Sequence, residues 1–222
     1  SLSDDNRRLL AELERAGAEV TLLDISLDHN VCTILSVLRS PAKSSTAFVC
    51  AASTSPDAEE AVRKALEELE HTRNWSQILK DTIPPVDPSK VTEVNGQRGH
   101  LRYWGEHSSL DQAHFLFASK TRIQFDDLIH HRDTAAASQL TTLVKSLAAI
   151  GQECFVVDLT TPDIRELGFR VVRALVPGLH RLAMGHSGRC LGGERLWSVP
   201  QKLGYPGISL ETGDNPIPHP YP

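Results

Sequence analysis

Glu68 and His71 stand three apart in the run Ala61-Val-Arg-Lys-Ala-Leu-Glu-Glu-Leu-Glu-His71. Ala61, Ala65, Leu66 and Leu69 recur in that run with a helical period, so both polar side chains can face one site. A carboxylate so placed can hold Mg2+, and an imidazole beside it can meet a phosphate. Together with Glu60, Lys64 and Glu67 the same residues also read as a solvated face laced with ion pairs, and the pattern leaves both readings open. No glycine-rich phosphate loop of the Walker or Rossmann type is present, so nucleotide binding requires another architecture. His130 and His131 are adjacent, while His100, His107, His114, His180 and His186 are scattered and form no His-Glu-x-x-His zinc pattern. No Gly-x-Ser-x-Gly elbow points to a serine hydrolase. Cys32, Cys50, Cys154 and Cys190 lack short ligand spacings, and Cys50 and Cys154 sit in apolar runs. Buried, reduced thiols are the expectation, with a zinc site or a disulfide as the alternative.

The other segment with chemical character is Asn215-Pro-Ile-Pro-His-Pro-Tyr-Pro222, with proline at 216, 218, 220 and 222. Alternating proline imposes an extended, pre-ordered strand without internal hydrogen bonds. It reads as a ligand for an aromatic groove, as an unstructured end, or as a stiff strut that projects from the fold. A strut can hold the Pro222 carboxylate at a defined point with little ordering cost.

These residues need elements to position them. Ser3 or Asp4 caps a first helix that runs through Leu9, Leu10, Leu13 and Ala16 to Gly17. Val20–Ser26 reads as a short buried strand, followed by strands at Cys32–Leu38 and Ala47–Ala51. A long helix from Ala58 to about Leu79 is predicted, with Ser55 as N-cap and Pro56 at the first helical position. Residues 81–100, with three prolines and two glycines, read as a loop. Shorter helical segments are expected around Ser109–Ser119 and Asp126–His131, a second long helix at Ala135–Ile150, and strands at Phe155–Leu159 and Val171–Val176. Leu13–Ser26 and Leu147–Thr160 repeat one pattern: helix, glycine, then a strand ending Asp-aliphatic-hydroxyl. Either this is the ordinary grammar of a helix–strand unit, or both strands bring an Asp and a hydroxyl to one sheet edge. The fold class is α/β, or α+β, with helices packed on a mixed sheet.

The 222 residues carry a net charge of −5, with 40% hydrophobic and 23% charged residues, enough for a substantial core. Without a lysine or arginine cluster there is no footprint for nucleic acid, and no apolar run has the ~18 residues of a membrane span. No secretory signal opens the chain, so a cytoplasmic location is expected. Met184 is the single methionine and the chain starts Ser-Leu-Ser-Asp-Asp, which suggests a fragment or a processed chain.

Four strings in order resemble the YcaO family of ATP-dependent enzymes that activate peptide amide bonds. They are Ala61–His71, close to the family's A-x-x-x-A-L-x-E-x-x-Q; His107-Ser-Ser-Leu-Asp-Gln-Ala-His114; Val157–Asp163 with Arg170–Leu179; and the terminal Pro-His-Pro-Tyr-Pro. The likeness is strongest to the cyclodehydratases of thiazole/oxazole-modified peptide biosynthesis, over the C-terminal half of such a domain. It implies residues 1–203 as the C-terminal portion of a catalytic domain and 204–222 as its tail. It implies ATP and Mg2+ as cofactors, with Glu68 as the metal- and nucleotide-site glutamate and His71 where the family usually has glutamine. Arg73 and Lys80 follow as candidate phosphate contacts. The prolines Pro218, Pro220 and Pro222 match the tail that enters the active site of the cyclodehydratases.

The implied reaction converts Cys, Ser or Thr of a ribosomally made precursor peptide into azolines. Thioamide or amidine formation on the same fold, or a non-catalytic peptide-binding scaffold, are the alternatives. Implied partners are the precursor peptide and either a leader-peptide-binding protein or the other half of the domain, with its own glutamate-bearing helix. A homodimer is also compatible; nucleic acid and membrane are not expected.

Overall fold

The computed structural model describes residues 1–131, 135–205 and 207–222; Pro206, inside the predicted tail, lies outside them. Helix α1 (Asp4–Arg15) opens with the Ser3 hydroxyl accepting the Asn6 amide N–H at 3.3 Å, as the sequence predicts. It closes at Gly17, whose φ of +80° suits a residue without Cβ. Strands β1 (Glu19–Asp24), β2 (Cys32–Arg39) and β3 (Phe48–Ser55) form an antiparallel sheet in that order. The expected burial of the first strand is corrected. β1 is an edge strand, exposed at both ends and half-buried between, while β2 in the centre is buried almost throughout.

The two faces of β2 explain that burial. Ile34 and Leu38 pack under helix α2 (Ala58–Thr82) with its Ala61, Val62, Ala65, Leu66 and Leu69. Leu35 and Val37 face the other way, into a cluster with Phe48, Cys50, Val94, Tyr103 and Trp104. Alternate residues thus enter two cores, and the strand reads as continuously apolar. Ser36 sits 2.8 Å from the Ala65 carbonyl oxygen and binds the sheet to the helix. At the start of α2 the cap differs from expectation. Asp57, not Ser55, is the N-cap and accepts from Glu59 N–H at 3.0 Å. Ser55 still ends β3; its hydroxyl accepts the Asp57 N–H and donates to Glu60 at 2.7 Å.

The predicted loop at 81–100 is also corrected, because it carries a 3-10 turn (Pro88–Glu93) and opens helix α3 (Gly96–Trp104). Then follow a 3-10 turn (His107–Ala113), helix α4 (His114–Phe117), a 3-10 turn (Phe125–Asp127) and helix α5 (Ala136–Ala149). β4 (Phe155–Asp158) and β5 (Val172–Leu175) pair antiparallel around helix α6 (Pro162–Glu166), which the sequence reading missed. Helix α7 (Glu194–Lys202), also missed, is joined to the β1–β2 connection by Arg195 and Asp28 at 3.0 Å.

The two halves of the internal repeat do close alike. Gly17 and Gly151 both have positive φ, and Asp24 and Asp158 each accept the amide N–H two residues on at 2.9 Å. They end in different sheets, however, so no shared sheet edge collects them. The pairs among the described strands are all antiparallel, which makes the fold α+β and not a mixed or parallel sheet. No described helix is long and apolar enough to cross a membrane.

Candidate active site

Helix α2 lies across the sheet with its apolar stripe down, which leaves Lys64, Glu67, Glu68 and His71 on the side that faces solvent. That side forms one wall of a cleft of about 610 Å³. Ala51, Ala52 and Ser53 of β3, with Leu182, Tyr221 and Pro222, complete its lining. Glu68 and His71 therefore line one cavity with Pro222, which lies about 150 residues further along the chain.

The cleft's ionic groups are not equivalent. Glu67 is held by Arg63 at 2.8 Å, and Lys64 reaches Glu60 at 2.9 Å. Serine and lysine contacts, led by the Ser55 hydroxyl, hold the Glu60 carboxyl below its ordinary range. Glu68 is half exposed, and its ion-pair contact among the described residues is His71 Nδ1 at 3.8 Å, too long for a hydrogen bond. Its oxygens are free to take a ligand. Mg2+ prefers oxygen donors and commonly uses one or two carboxylates, with water and phosphate oxygens completing an octahedron. The described residues contain no cluster of three or more carboxylate, imidazole or thiol groups able to enclose a metal. The donor set fits one side of a Mg2+–phosphate site: a carboxylate at Glu68, with a lysine and an imidazole along the same helix face.

Arg73 and Lys80 go elsewhere. Arg73 pairs with Glu70 at 3.1 Å and lines a groove against α1 with Leu9 and Leu13. Lys80 donates to the carbonyls of Ser45 (2.7 Å) and Gly105 (3.1 Å), and burial lowers its pKa. It pins the β2–β3 connection to the end of α3. Neither lines the cleft, because 73 and 80 lie on other faces of the helix than 64, 68 and 71.

The tail does not project as a strut. Pro218 is buried and its carbonyl accepts the Trp104 indole N–H at 3.0 Å. Ile217 and Tyr221 pack against the cluster beneath the sheet, and burial raises the Tyr221 phenol above its ordinary value. Pro218 and Pro220 line a second, apolar cavity of about 480 Å³ with Trp104, Phe115 and Leu191. Tyr221 and Leu182 border both cavities. Of the four free cysteines, Cys32 and Cys50 are buried, and burial lifts the Cys32 thiol to about 11. Cys154 is only half-buried, because β4 lies at the surface; this corrects the expectation of burial.

Helix α2 with Glu67 and Glu68, strand β3 and the proline-rich end thus meet in one cleft. The model of the YcaO cyclodehydratase family, described as ATP- and Mg2+-binding, matches residues 2–180, and the chain belongs to that family. ATP and Mg2+ are the family's cofactors. A solved heterocyclase in complex with substrate and cofactor superposes with a TM-score of 0.69 at 21% identity, over 99% of this chain and 28% of that one. The heterocyclase TruD gives 0.67 at 20%, over 98% and 28%. YcaO from Methanopyrus kandleri, bound with AMPPCP and Mg2+, gives 0.54 at 24%, over 80% and 44%. These are likenesses of fold. An uncharacterized protein of Methanothermobacter thermautotrophicus is 29% identical over 184 residues, 77% of this chain and 42% of that protein. The chain spans less than half the length of the relatives it matches.

Proposed function

We propose that residues 1–203 are the C-terminal portion of a YcaO catalytic domain and 204–222 its tail, in a cytoplasmic enzyme that forms azolines from Cys, Ser or Thr of a ribosomally made precursor peptide. The observation that carries the reading is that Glu68, His71 and Pro222 line one cleft. In the reaction the substrate's thiol or hydroxyl adds to the preceding backbone carbonyl and closes the five-membered ring. The carbonyl-derived oxygen must then become a leaving group so that its departure, with loss of the amide proton, forms the azoline C=N. Bound ATP with Mg2+ supplies the phosphoryl group that makes that oxygen a leaving group.

The chain's own part is placement and proton traffic. Glu68 holds the metal's protein side, and His71 donates one hydrogen bond toward phosphate where a glutamine would. Lys64 adds a cation to the same face. The Pro222 carboxylate is the base that removes the proton from the attacking side chain or amide. The rest of the metal and nucleotide site belongs to the other half of the domain or to a partner chain, in keeping with the one-sided donor set. A leader-peptide-binding partner delivers the substrate.

Glu68→Gln tests this directly. With 54% of its side chain exposed, Glu68 contributes little to packing, so thermal stability should stay within about 0.5 kcal/mol of wild type. Peptide-dependent ATP turnover by the intact protein should fall by about 100-fold or more. Undiminished turnover would leave Glu68 as one more solvated surface acid and remove it from the site.

A further inference from the structure

The proline tail has few N–H groups of its own, so its carbonyl oxygens are what a neighbour can grip. Two side chains four residues apart on one face of α3 grip adjacent carbonyls: Trp104 Nε1 that of Pro218 at 3.0 Å, and His100 Nδ1 that of His219 at 2.8 Å. The His100 ring is fully buried and stacks on the His219 ring at 3.8 Å, 11° from parallel. The other side of the seat is the segment around Met184. Its carbonyl accepts the Gly96 N–H at 2.7 Å, and the His186 N–H donates to Val94 at 3.1 Å. The His219 Nε2 N–H reaches the Ala183 carbonyl at 2.7 Å. His100 Nε2 lies 3.2 Å from the Met184 carbonyl, which already has its donor. A neutral His100 has a single N–H, so the His219 carbonyl is where that proton does most.

We infer that His100, stacked on His219 and seconded by Trp104, is a positioning residue that clasps the tail and thereby sets where the Pro222 carboxylate stands in the cleft. The clasp rests on the azoline-forming reading for its catalytic consequence, but its grip on the tail is a separate property. His100 touches neither the cleft nor the reacting atoms; it acts through the short stiff chain from His219 by way of Pro220 and Tyr221 to Pro222.

The test compares three variants of the intact protein. His100→Phe keeps a ring in the stack and removes both nitrogens. His100→Asn restores an amide N–H near the Nδ1 position. An extension of a few residues past Pro222 displaces the carboxylate without touching the clasp. Steady-state azoline formation is measured alongside hydrogen exchange of the Trp104 indole N–H in 15N-tryptophan-labelled protein. His100→Phe should lower kcat by about 10–100-fold with the peptide and ATP KM little changed, and should speed exchange at Trp104. His100→Asn should recover most of both losses, and the extension should lower kcat while Trp104 stays protected. If His100→Phe does not fold, Trp104→Phe, which keeps a ring and drops its N–H, should show the same kcat loss. A wild-type kcat or an unchanged Trp104 exchange rate in His100→Phe, beside an inactive extension variant, would overturn the clasp and leave the tail reading standing. A fully active extension variant would overturn the role of Pro222 and, with it, the catalytic purpose of the clasp.

Discussion

His100 and His186 are imidazoles kept almost wholly from water, and burial is the first cause of the lowered pKa of each. For His100 the neighbouring His219 adds to the fall, while the carbonyls of His219 and Met184 oppose it. For His186 the Arg189 guanidinium lowers it further, against the Pro216 hydrogen bond and Asp214. The unfolded chain takes up these protons near the ordinary value of 6.5, and the folded chain only at lower pH. On acidification the unfolded state therefore binds more protons, and stability is lost as pH falls from 6.5 toward the folded values. The carboxyls lowered by their partners, Asp28 by Arg195 and Glu60 by Ser55 and Lys64, give a separate loss at pH values near and below 4. Urea denaturation of the intact protein should show a lower midpoint at pH 5.5 than at 7.5. His100→Asn should flatten that dependence; an equal slope in the variant would mean that His100 takes up its proton alike in the folded and unfolded chain.

At the scale of the element, α2 carries the cleft's polar wall on one side and half the main core on the other. Its first turn depends on one carboxylate, since Asp57 caps the Glu59 N–H and also lies 3.6 Å from His130. Asp57→Ala should cost about 1 kcal/mol, read as a lower urea midpoint with unchanged slope. Ser55→Ala should cost its own hydrogen bonds but leave the cap in place. The period of Ala61, Ala65 and Leu69 announces this helix in the sequence, but the cap is ambiguous because Ser55 and Asp57 are both good acceptors and only tertiary placement chooses. Helix α3 was hidden for a related reason: Gly96 and Gly99 and the prolines before them mask a short amphipathic turn that forms because His100, Leu101, Tyr103 and Trp104 are buried. The strand pairings of β1 with β2 and of β4 with β5 could not be read from apolar runs, which do not encode direction. The pairing of Glu68 with His71 was visible as a three-residue spacing, whereas the divergence of Arg73 and Lys80 needed the helix's rotation against the sheet. His100 is one histidine among ten in the sequence; its partnership with Trp104 shows only as a four-residue spacing that many helices share.

For the whole molecule, the tail is held at Pro218 and His219, upstream of its end and downstream of the exposed turn around Leu210. Distance to the cleft is therefore counted from the grip and not from the body of the fold. Three residue steps of extended chain, about 9 Å at ~3.1 Å each, lead from His219 to Pro222. Chain added before the grip becomes slack, and chain added after it becomes an error in length. Two glycines inserted between Leu210 and Glu211 should leave azoline formation within about twofold of wild type, at a loop-entropy cost well under 1 kcal/mol. One glycine inserted between His219 and Pro220 should abolish most of it, and equal rates for the two insertions would show that the ruler starts elsewhere. The tail then works as a gauge block with its zero set by α3. On the proposed function, the linker before the grip tolerates changes in length that the interval after it does not.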